Sequence, residues 1–318
     1  MPSWPKEKGG AVCFTCDIDR RDYAAEGRLE RILDLLDDQE LKSTFFIPAE
    51  TICQDPTIAS RIIAQGSEIA GHGDTHRGYK GESYREQASR ISRMRSTIQE
   101  LVNVKVEGFR APSLLEDTNT IKAANDLGFS YDSSITCREA WRWSLADRLR
   151  RTVRNETLRG FLSRAEKIEG SSMPGQVRPV TLLFYEACFG RLHRDNPFHP
   201  MVSTKKLRIL EIPVSNRDDH QLINVWPRYR DWRRLAQAWR EDFIRRYRRS
   251  SLHVLLFHVQ LTGTRKYIKA LEDLTQYTAD MNVWFPTLAE LAEWWRSRAS
   301  SEERSWLGSC EVPPKKLR

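Results

Sequence analysis

The segment "CFTCDIDRRD", residues 13–22, follows Ala11 and Val12 and carries an apolar run straight into two carboxylates, Asp17 and Asp19, separated by Ile18. In a β-strand, side chains two residues apart share a face. Asp17 and Asp19 therefore point together toward whatever the C-terminal end of the strand opens onto, and Ile18 points away. An isolated D-x-D could equally cap the next turn or pair with Arg20 and Arg21. The text on either side decides between these readings.

That text alternates between extended and helical patterns. Residues 11 to 17 read as a strand, residues 26 to 38 place Leu29, Ile32, Leu33 and Leu36 on one helical face, and "KSTFFIP" (42 to 48) reads as a strand stopped by Pro48. A helix over 55 to 66 follows, with Asp55 as cap and Gly66 at its end. Then come a short strand in "SEIAGHGDTH", a polar helix over 83 to 102, a strand over 106 to 112 and a helix over 118 to 128. Repeated β–α alternation predicts a parallel sheet or barrel, an α/β fold whose functional groups gather at the C-terminal ends of the strands. The rhythm breaks near Cys137, and residues 138 to 206 read as a basic insertion before the last strands. It returns with a strand over 207 to 215, an amphipathic helix over 230 to 248, a strand over 252 to 260 and a helix over 266 to 279. Thr287 and Glu290 have capping-box spacing for a last helix. The expectation is one domain over residues 1–300, containing the insertion 138–206, and a polar tail over 301–318.

Composition bounds the class. The chain has 318 residues, 40% hydrophobic and 30% charged, and no apolar run long enough to span a bilayer. The start, "MPSWPKEKGG", carries no hydrophobic leader segment, which predicts a cytosolic protein. The six cysteines lack paired metal-ligand spacing and read as reduced, mostly buried thiols. Net charge is +8, and residues 228 to 249 hold nine arginines against Asp231, Glu241 and Asp242. Charge concentrated in this way suits an anionic partner.

Several side chains fall where strand ends converge. "HGDTH" supplies His72 and His76, neutral imidazoles that can close on one divalent ion with a carboxylate as third ligand, leaving the open positions of a catalytic centre. Arg110, at the end of the strand in "FRAP", has apolar neighbours, so its guanidinium needs a carboxylate, and Asp17 is the natural one. His258, in "LLFHVQ", is by default a core histidine; its place at a strand end makes it a candidate proton donor.

These motifs, in this order, resemble the polysaccharide deacetylase family, the NodB-type carbohydrate esterases: "CDID", "STFFIP", "GSEIAGHGDTH", "FRAPS" and "LFH" stand in register over about residues 11 to 260. The resemblance implies a distorted (β/α) barrel of about seven strands and metal-assisted hydrolysis of an N-acyl group, usually N-acetyl on an amino sugar. It implies that Asp19, His72 and His76 bind one divalent ion, Zn²⁺ by preference, and that Asp17 is the general base, oriented by Arg110. His258 becomes the general acid. The backbone N–H near Ser113 helps hold the oxyanion, and Leu256 lines the acyl pocket. The family's commonest first motif has adjacent aspartates followed by glycine, whereas here Ile18 separates the pair and Arg20 follows, so Asp19 stands in for the second acid. Relatives of this D-x-D form tend to be intracellular and to act on small or lipid-linked substrates. Ser113 occupies a position where an aromatic residue is usual.

The expected substrate is an N-acylated amino sugar, nucleotide-linked, lipid-linked or an oligosaccharide, met in surface-glycan or glycolipid biosynthesis. In the helix over 228–249, Trp232, Leu235, Trp239, Phe243 and Tyr247 form one stripe. That stripe reads first as core packing of a barrel-covering helix. Its arginines read as a basic surface for anionic lipid headgroups or substrate phosphate, at the inner membrane face. A nucleic-acid partner is not expected. Two other readings stay open: a deformylase or other amide hydrolase of the same fold, and a non-catalytic glycan- or anion-binding protein on a decayed barrel.

Overall fold

The computed structural model describes residues 4–19, 25–137, 195–202 and 205–309. Its organising element is β1 (Gly10–Asp17), buried along its whole length. A parallel strand covered by helices outside and by other strands' side chains inside must be apolar on both faces. Val12, Phe14, Cys16 and Ile18 face outward and pack with Leu29, Ile32, Leu33 and Leu36 of α1 (Arg28–Asp38). Ala11 and Cys13 face inward, against Phe46, Ala70, Tyr131 and Val254. The two cysteines of the C-x-x-C thus lie on opposite faces. Cys13, Cys16, Cys53 and Cys137 are all free thiols, and only Cys53 is exposed.

The other inner strands are β2 (Ser43–Ile47), β3 (Glu68–Gly71), β4 (Gly108–Phe109), β5 (Tyr131–Asp132), β8 (Leu210–Glu211) and β9 (Leu252–His258). All pair in parallel, in the order β9-β1-β2-β3-β4-β5-β8. Beyond β8, Ser215 N donates to Val254 O at 2.9 Å, which brings the last strand back to β9. The result is a curled (β/α) barrel of seven strands, as the resemblance implied. A further short strand, β10 (Val283–Trp284), pairs with Gly10 and Ala11 at the foot of β1. Leu288, Leu291 and Ala292 of α10 (Leu288–Ser309) close the floor of the barrel. Thr287 and Glu290 form the expected capping box, each backbone N–H bonded to the other's side chain.

The helices follow the alternation closely. α3 (Thr57–Ala64) starts where Asp55 accepts from Thr57 N, α4 (Tyr84–Val102) opens on a Ser83/Glu86 capping box, and α5 (Thr118–Asp126) opens on Asp117. The short α2 (Ala49–Gln54), directly after Pro48, was not read from the sequence. Two strands are shorter than their sequence patterns: 106 to 112 reduces to β4, and 207 to 215 to β8. β4 lies hard against Tyr131: a Cβ added to Gly108 would sit 1.9 Å from Tyr131 Cζ, so only glycine fits there.

After β8 come α6 (Asp219–Val225), α7 (Trp232–Tyr247), the single-turn α8 (Val259–Thr262) and α9 (Ile268–Ala279). In α7, Leu235, Trp239 and Phe243 are buried, and Trp232 and Tyr247 pack on the same cluster, so the aromatic stripe is core packing. α10 continues to Ser309, through the start of the segment read as a tail. Among the described residues, no helix is long and apolar enough to cross a membrane.

Most of the segment read as an insertion, residues 138–194, lies outside the described residues. Its C-terminal part is a hairpin of β6 (Met201–Val202) and β7 (Lys205–Lys206), preceded by Phe198, which pairs with Glu211 and joins the core. Asp195 pairs with Arg246 at 3.4 Å, and Leu252 N donates to Asn196 Oδ1 at 3.1 Å. On the N-terminal side, Cys137 N donates to Val214 O at 2.8 Å. Burial pushes the Cys137 thiol up to about 12, against the opposing pull of the neighbouring Arg246 guanidinium.

Candidate active site

The backbone ladder sets the level of the site. Ile18 N donates to Phe46 O, His72 N to Ile47 O, Arg110 N to Gly71 O and Ser133 N to Phe109 O, all within 3.1 Å, each one rung beyond the strand that carries it. Asp17 is in register with His258 on the adjacent β9. Sequence-distant residues therefore arrive at one end of the barrel at one height. Ile18 is buried on the helix side and Asp17 and Asp19 face the mouth, as the period of two requires.

Arg110 is fully buried and anchors the floor of the site. Its Nη1 donates to Asp17 Oδ1 at 2.6 Å, Nε to Ser133 O at 2.9 Å, and Nη2 to Thr15 Oγ1 and Ser133 Oγ at 3.1 and 3.0 Å. Its Cζ lies 3.9 Å from the Phe46 ring centroid. All sides of the guanidinium are thus engaged, which is what a buried arginine requires. Asp17 keeps Oδ2 on the open side, 3.6 Å from His72 Nε2.

His72 Nδ1 lies 2.9 Å from Arg110 O. A carbonyl oxygen only accepts, so Nδ1 carries the proton and the Nε2 lone pair faces the site. Nε2 is 3.3 Å from Asp19 Oδ1, and His76 Nε2 is 3.2 Å from the same oxygen. The three atoms are shielded from solvent without a hydrogen-bond partner. The His72 lone pair facing a carboxylate oxygen that His76 also approaches is best met by positive charge among them, a proton on an imidazole or a metal cation. Burial pushes the Asp19 carboxyl up, but the two imidazoles prevail and hold it well below the usual carboxylate range. Asp19 in turn raises His76 above its ordinary value, against burial. Two imidazoles and one carboxylate are a donor set that fits a divalent transition metal with positions left open.

The loop that carries the histidines is built to hold still. Gly73 has φ +92°, the left-handed region that favours glycine. Ala49 N and Glu50 N at the start of α2 donate to Gly73 O and Asp74 O, and His76 N donates to Glu50 Oε1 at 3.1 Å. Asp74 turns away from the mouth to Arg90 and Arg93.

On the opposite wall, His258 Nδ1 lies 2.6 Å from Asp219 Oδ1, and Asp219 Oδ2 accepts from His258 N and Thr262 Oγ1. Burial pulls the imidazole down, but the Asp219 carboxylate outweighs it, with help from Asp19 and Asp17, and raises His258 to about 10. His258 Nε2 points to Asp19 Oδ2 at 3.5 Å. Leu256 is buried two residues below His258 on the same face. Ser113 is exposed, in a single 3₁₀ turn with φ +56° just after Arg110–Ala111.

Sequence reasoning missed three participants. Ser133 follows a strand of two residues, and Gln260 reads as the last residue of the strand over 252 to 260, whereas it lies in the turn Val259–Thr262. Asp219 sits in the polar run "NRDDHQ", where its one signal was the strand-end position after β8.

A curled parallel barrel thus carries two histidines and two aspartates together at its strand ends. Residues 6–131 match the family model described as Polysaccharide deacetylase. A peptidoglycan deacetylase-like protein of Gibberella zeae is 32% identical over 114 residues, which are 36% of this chain and 33% of that protein. The match thus spans about a third of the relative's length. A Mycobacterium smegmatis chain described as a polysaccharide deacetylase shares the fold with a TM-score of 0.69 at 22% identity, over 93% of each chain. Puue allantoinase shares it with a TM-score of 0.65 at 15% identity, over 92% of each chain.

Proposed function

We propose that the protein is a metal-dependent hydrolase that removes an N-acetyl group from an amino-sugar derivative. The observation that carries this reading is the juxtaposition of three solvent-shielded, unpartnered ligand atoms, on Asp19, His72 and His76, with the acid–base couple Asp17 and His258 on neighbouring strands. Asp19, His72 and His76 would hold one divalent ion, Zn²⁺ by donor type. Bound there, such an ion supplies Lewis acidity that polarises an acyl oxygen and acidifies water toward a pKa of about 7.

The chain's own residues handle the protons. Asp17, with Oδ1 tied to Arg110, has Oδ2 available to take a proton from the attacking water. The water oxygen bonds to the acyl carbon, the C–N bond breaks, and His258, kept cationic by Asp219, gives its proton to the departing nitrogen. The products are acetate and a free amine. Leu256 lines the acyl side, and the backbone N–H near Ser113 serves the oxyanion. A non-catalytic role is less well supported, since a binding surface has no need of an oriented acid and base.

A nucleotide- or lipid-linked amino sugar, met at the cytosolic face of a membrane, is the substrate class we favour. Supporting it, Arg228, Arg230, Arg233 and Arg234 are exposed beside Trp226 and Val225, which are 53% and 58% exposed.

The test is metal content together with turnover. Native protein purified without chelator should carry about one divalent ion per chain, and a His72→Ala/His76→Ala variant none. Asp17→Asn should keep the ion and lose acetate release from N-acetylated sugars. A native protein that takes up no ion on reconstitution would overturn the reading, and release of formate or of a ring-opened acid would redirect it to another amide hydrolase.

A further inference from the structure

β1 ends at Asp17, and the last ladder bond on it among the described residues, Ile18 N to Phe46 O at 3.0 Å, falls one residue short of Asp19. Its carboxylate is nevertheless sharply divided. Oδ1 faces the two imidazoles, at 3.3 and 3.2 Å. Oδ2 receives Gln260 Nε2 at 3.0 Å and faces His258 Nε2 at 3.5 Å. Gln260 comes from α8, the single turn that follows β9. That turn is fastened on two sides: Thr262 Oγ1 donates to Asp219 Oδ2 at 2.7 Å, and Arg31 Nε donates to Gly263 O at 2.9 Å. One helical turn thus reaches both Asp19 and the carboxylate that orients His258.

The amide orientation is fixed by chemistry. A carboxylate oxygen accepts, so the NH₂ side of Gln260 must face Asp19, and Oε1 then points the other way. Among the described residues, Gln260 Oε1 is buried without a hydrogen-bond partner. A buried acceptor left unmet costs about 1–3 kcal/mol. An amide that only filled space would be better replaced by an apolar side chain.

We propose that Gln260 is a positioning residue of the metal centre, whose amide holds Asp19 Oδ2 so that Oδ1 alone is presented with His72 and His76. The D-x-D form of the first motif places its ligand one residue past the last described ladder bond, and Gln260 supplies a hold there from the neighbouring strand's end. The proposal rests on the metal-centre reading above.

The test is a chelator-competition titration of Zn²⁺ into the metal-free full chain, comparing wild type with Gln260→Met, which keeps the length and loses the donor, and Gln260→Asn, which keeps the donor on a shorter stem. Partners of this kind typically contribute 10- to 100-fold in metal affinity. The expected result is at least a tenfold weaker dissociation constant for the Met variant and an intermediate one for the Asn variant. The melting temperature of the metal-free Met variant should equal or exceed that of wild type, because the orphaned oxygen is gone. Affinities of both variants within twofold of wild type overturn the proposal while leaving the metal-centre reading intact. A metal-free Met variant that melts lower, with affinity unchanged, assigns Gln260 a structural role instead. If folded wild type binds no Zn²⁺, both readings fall together.

Discussion

Replacing Asp219 with asparagine isolates the electrostatic device on the His258 wall. The carboxylate is fully buried, 2.6 Å from His258 Nδ1, and is the largest influence raising that imidazole from its ordinary 6.5 to about 10 against the pull of burial. A neutral amide removes that influence and leaves burial opposed only by Asp19 and Asp17. His258 should then titrate near or below 6.5, a fall of roughly three units, on the order of 4 kcal/mol. The sign for stability follows. A histidine whose folded pKa lies above its unfolded value contributes stability that is complete below about 6.5 and lost as pH rises through about 10. Metal-free wild type should therefore lose up to about 1.4 kcal/mol per pH unit from this group across that window, and Asp219→Asn should be flat. With seven histidines in the chain, NMR of the imidazole Cε1–H signals can follow His258 directly, assigned through His258→Gln. Urea unfolding at pH 6.5 and 9.5 reads the linked stability. In turnover, the variant should lose its proton donor above neutrality and decline on the alkaline side first. A His258 that titrates within half a unit of wild type in the Asn variant would refute the reasoning.

Two further outcomes follow from groups away from the metal centre. Asp132 and Glu211 are fully buried register partners, and burial raises both carboxyls, Glu211 further because of the Asp132 charge. An acid raised in the fold stabilises below its unfolded value near 4.5 and loses that contribution as pH rises. Glu211→Gln should flatten the decline and be the more stable protein at pH 8 in urea unfolding; a less stable variant would contradict the raised Glu211 carboxyl. For the basic surface, wild type should sediment with phosphatidylglycerol vesicles and not with phosphatidylcholine ones. Trp226→Ser/Arg230→Ser should lower that binding several-fold. Equal sedimentation with both lipids would remove the anionic-surface reading.

Much of the barrel was legible because a parallel strand buried on both faces leaves an unbroken apolar run, as in β1, β2 and β9, and because cap residues such as Asp55 and Thr287 mark where helices begin. The aromatic stripe of α7 was equally readable, since a helix over a barrel strand has one face to bury. Asp17, Asp19, His72, His76, Arg110 and His258 could be named because each sits at a strand end among residues of the wrong polarity for a core. Asp219 and Gln260 could not. Both reach the site by tertiary routes: Asp219 meets His258 39 residues further along the chain, and Gln260 meets Asp19 across 241. Neither approach leaves a trace in local periodicity. The brevity of β4 and β8 was also hidden, because an apolar run shows burial without showing how many rungs of ladder form.

Arg246 carries a consequence for how this chain can vary. Asp195 and Cys137, the described residues on either side of 138–194, both lie against this one guanidinium. Arg246 therefore holds Cys137 and Asp195 at one point of α7, like the two sides of a clasp. Closing a longer loop on a preformed clasp costs only about 0.6 kcal/mol per doubling of its length. Cys137 and Asp195 stay together by described contacts of their own, next to the strands that bring Asp219 and His258 to the mouth. The proton donor is held separately, by Asp219 and by the ladder between β1 and β9, so the clasp and the donor are two independent fastenings of the same barrel wall.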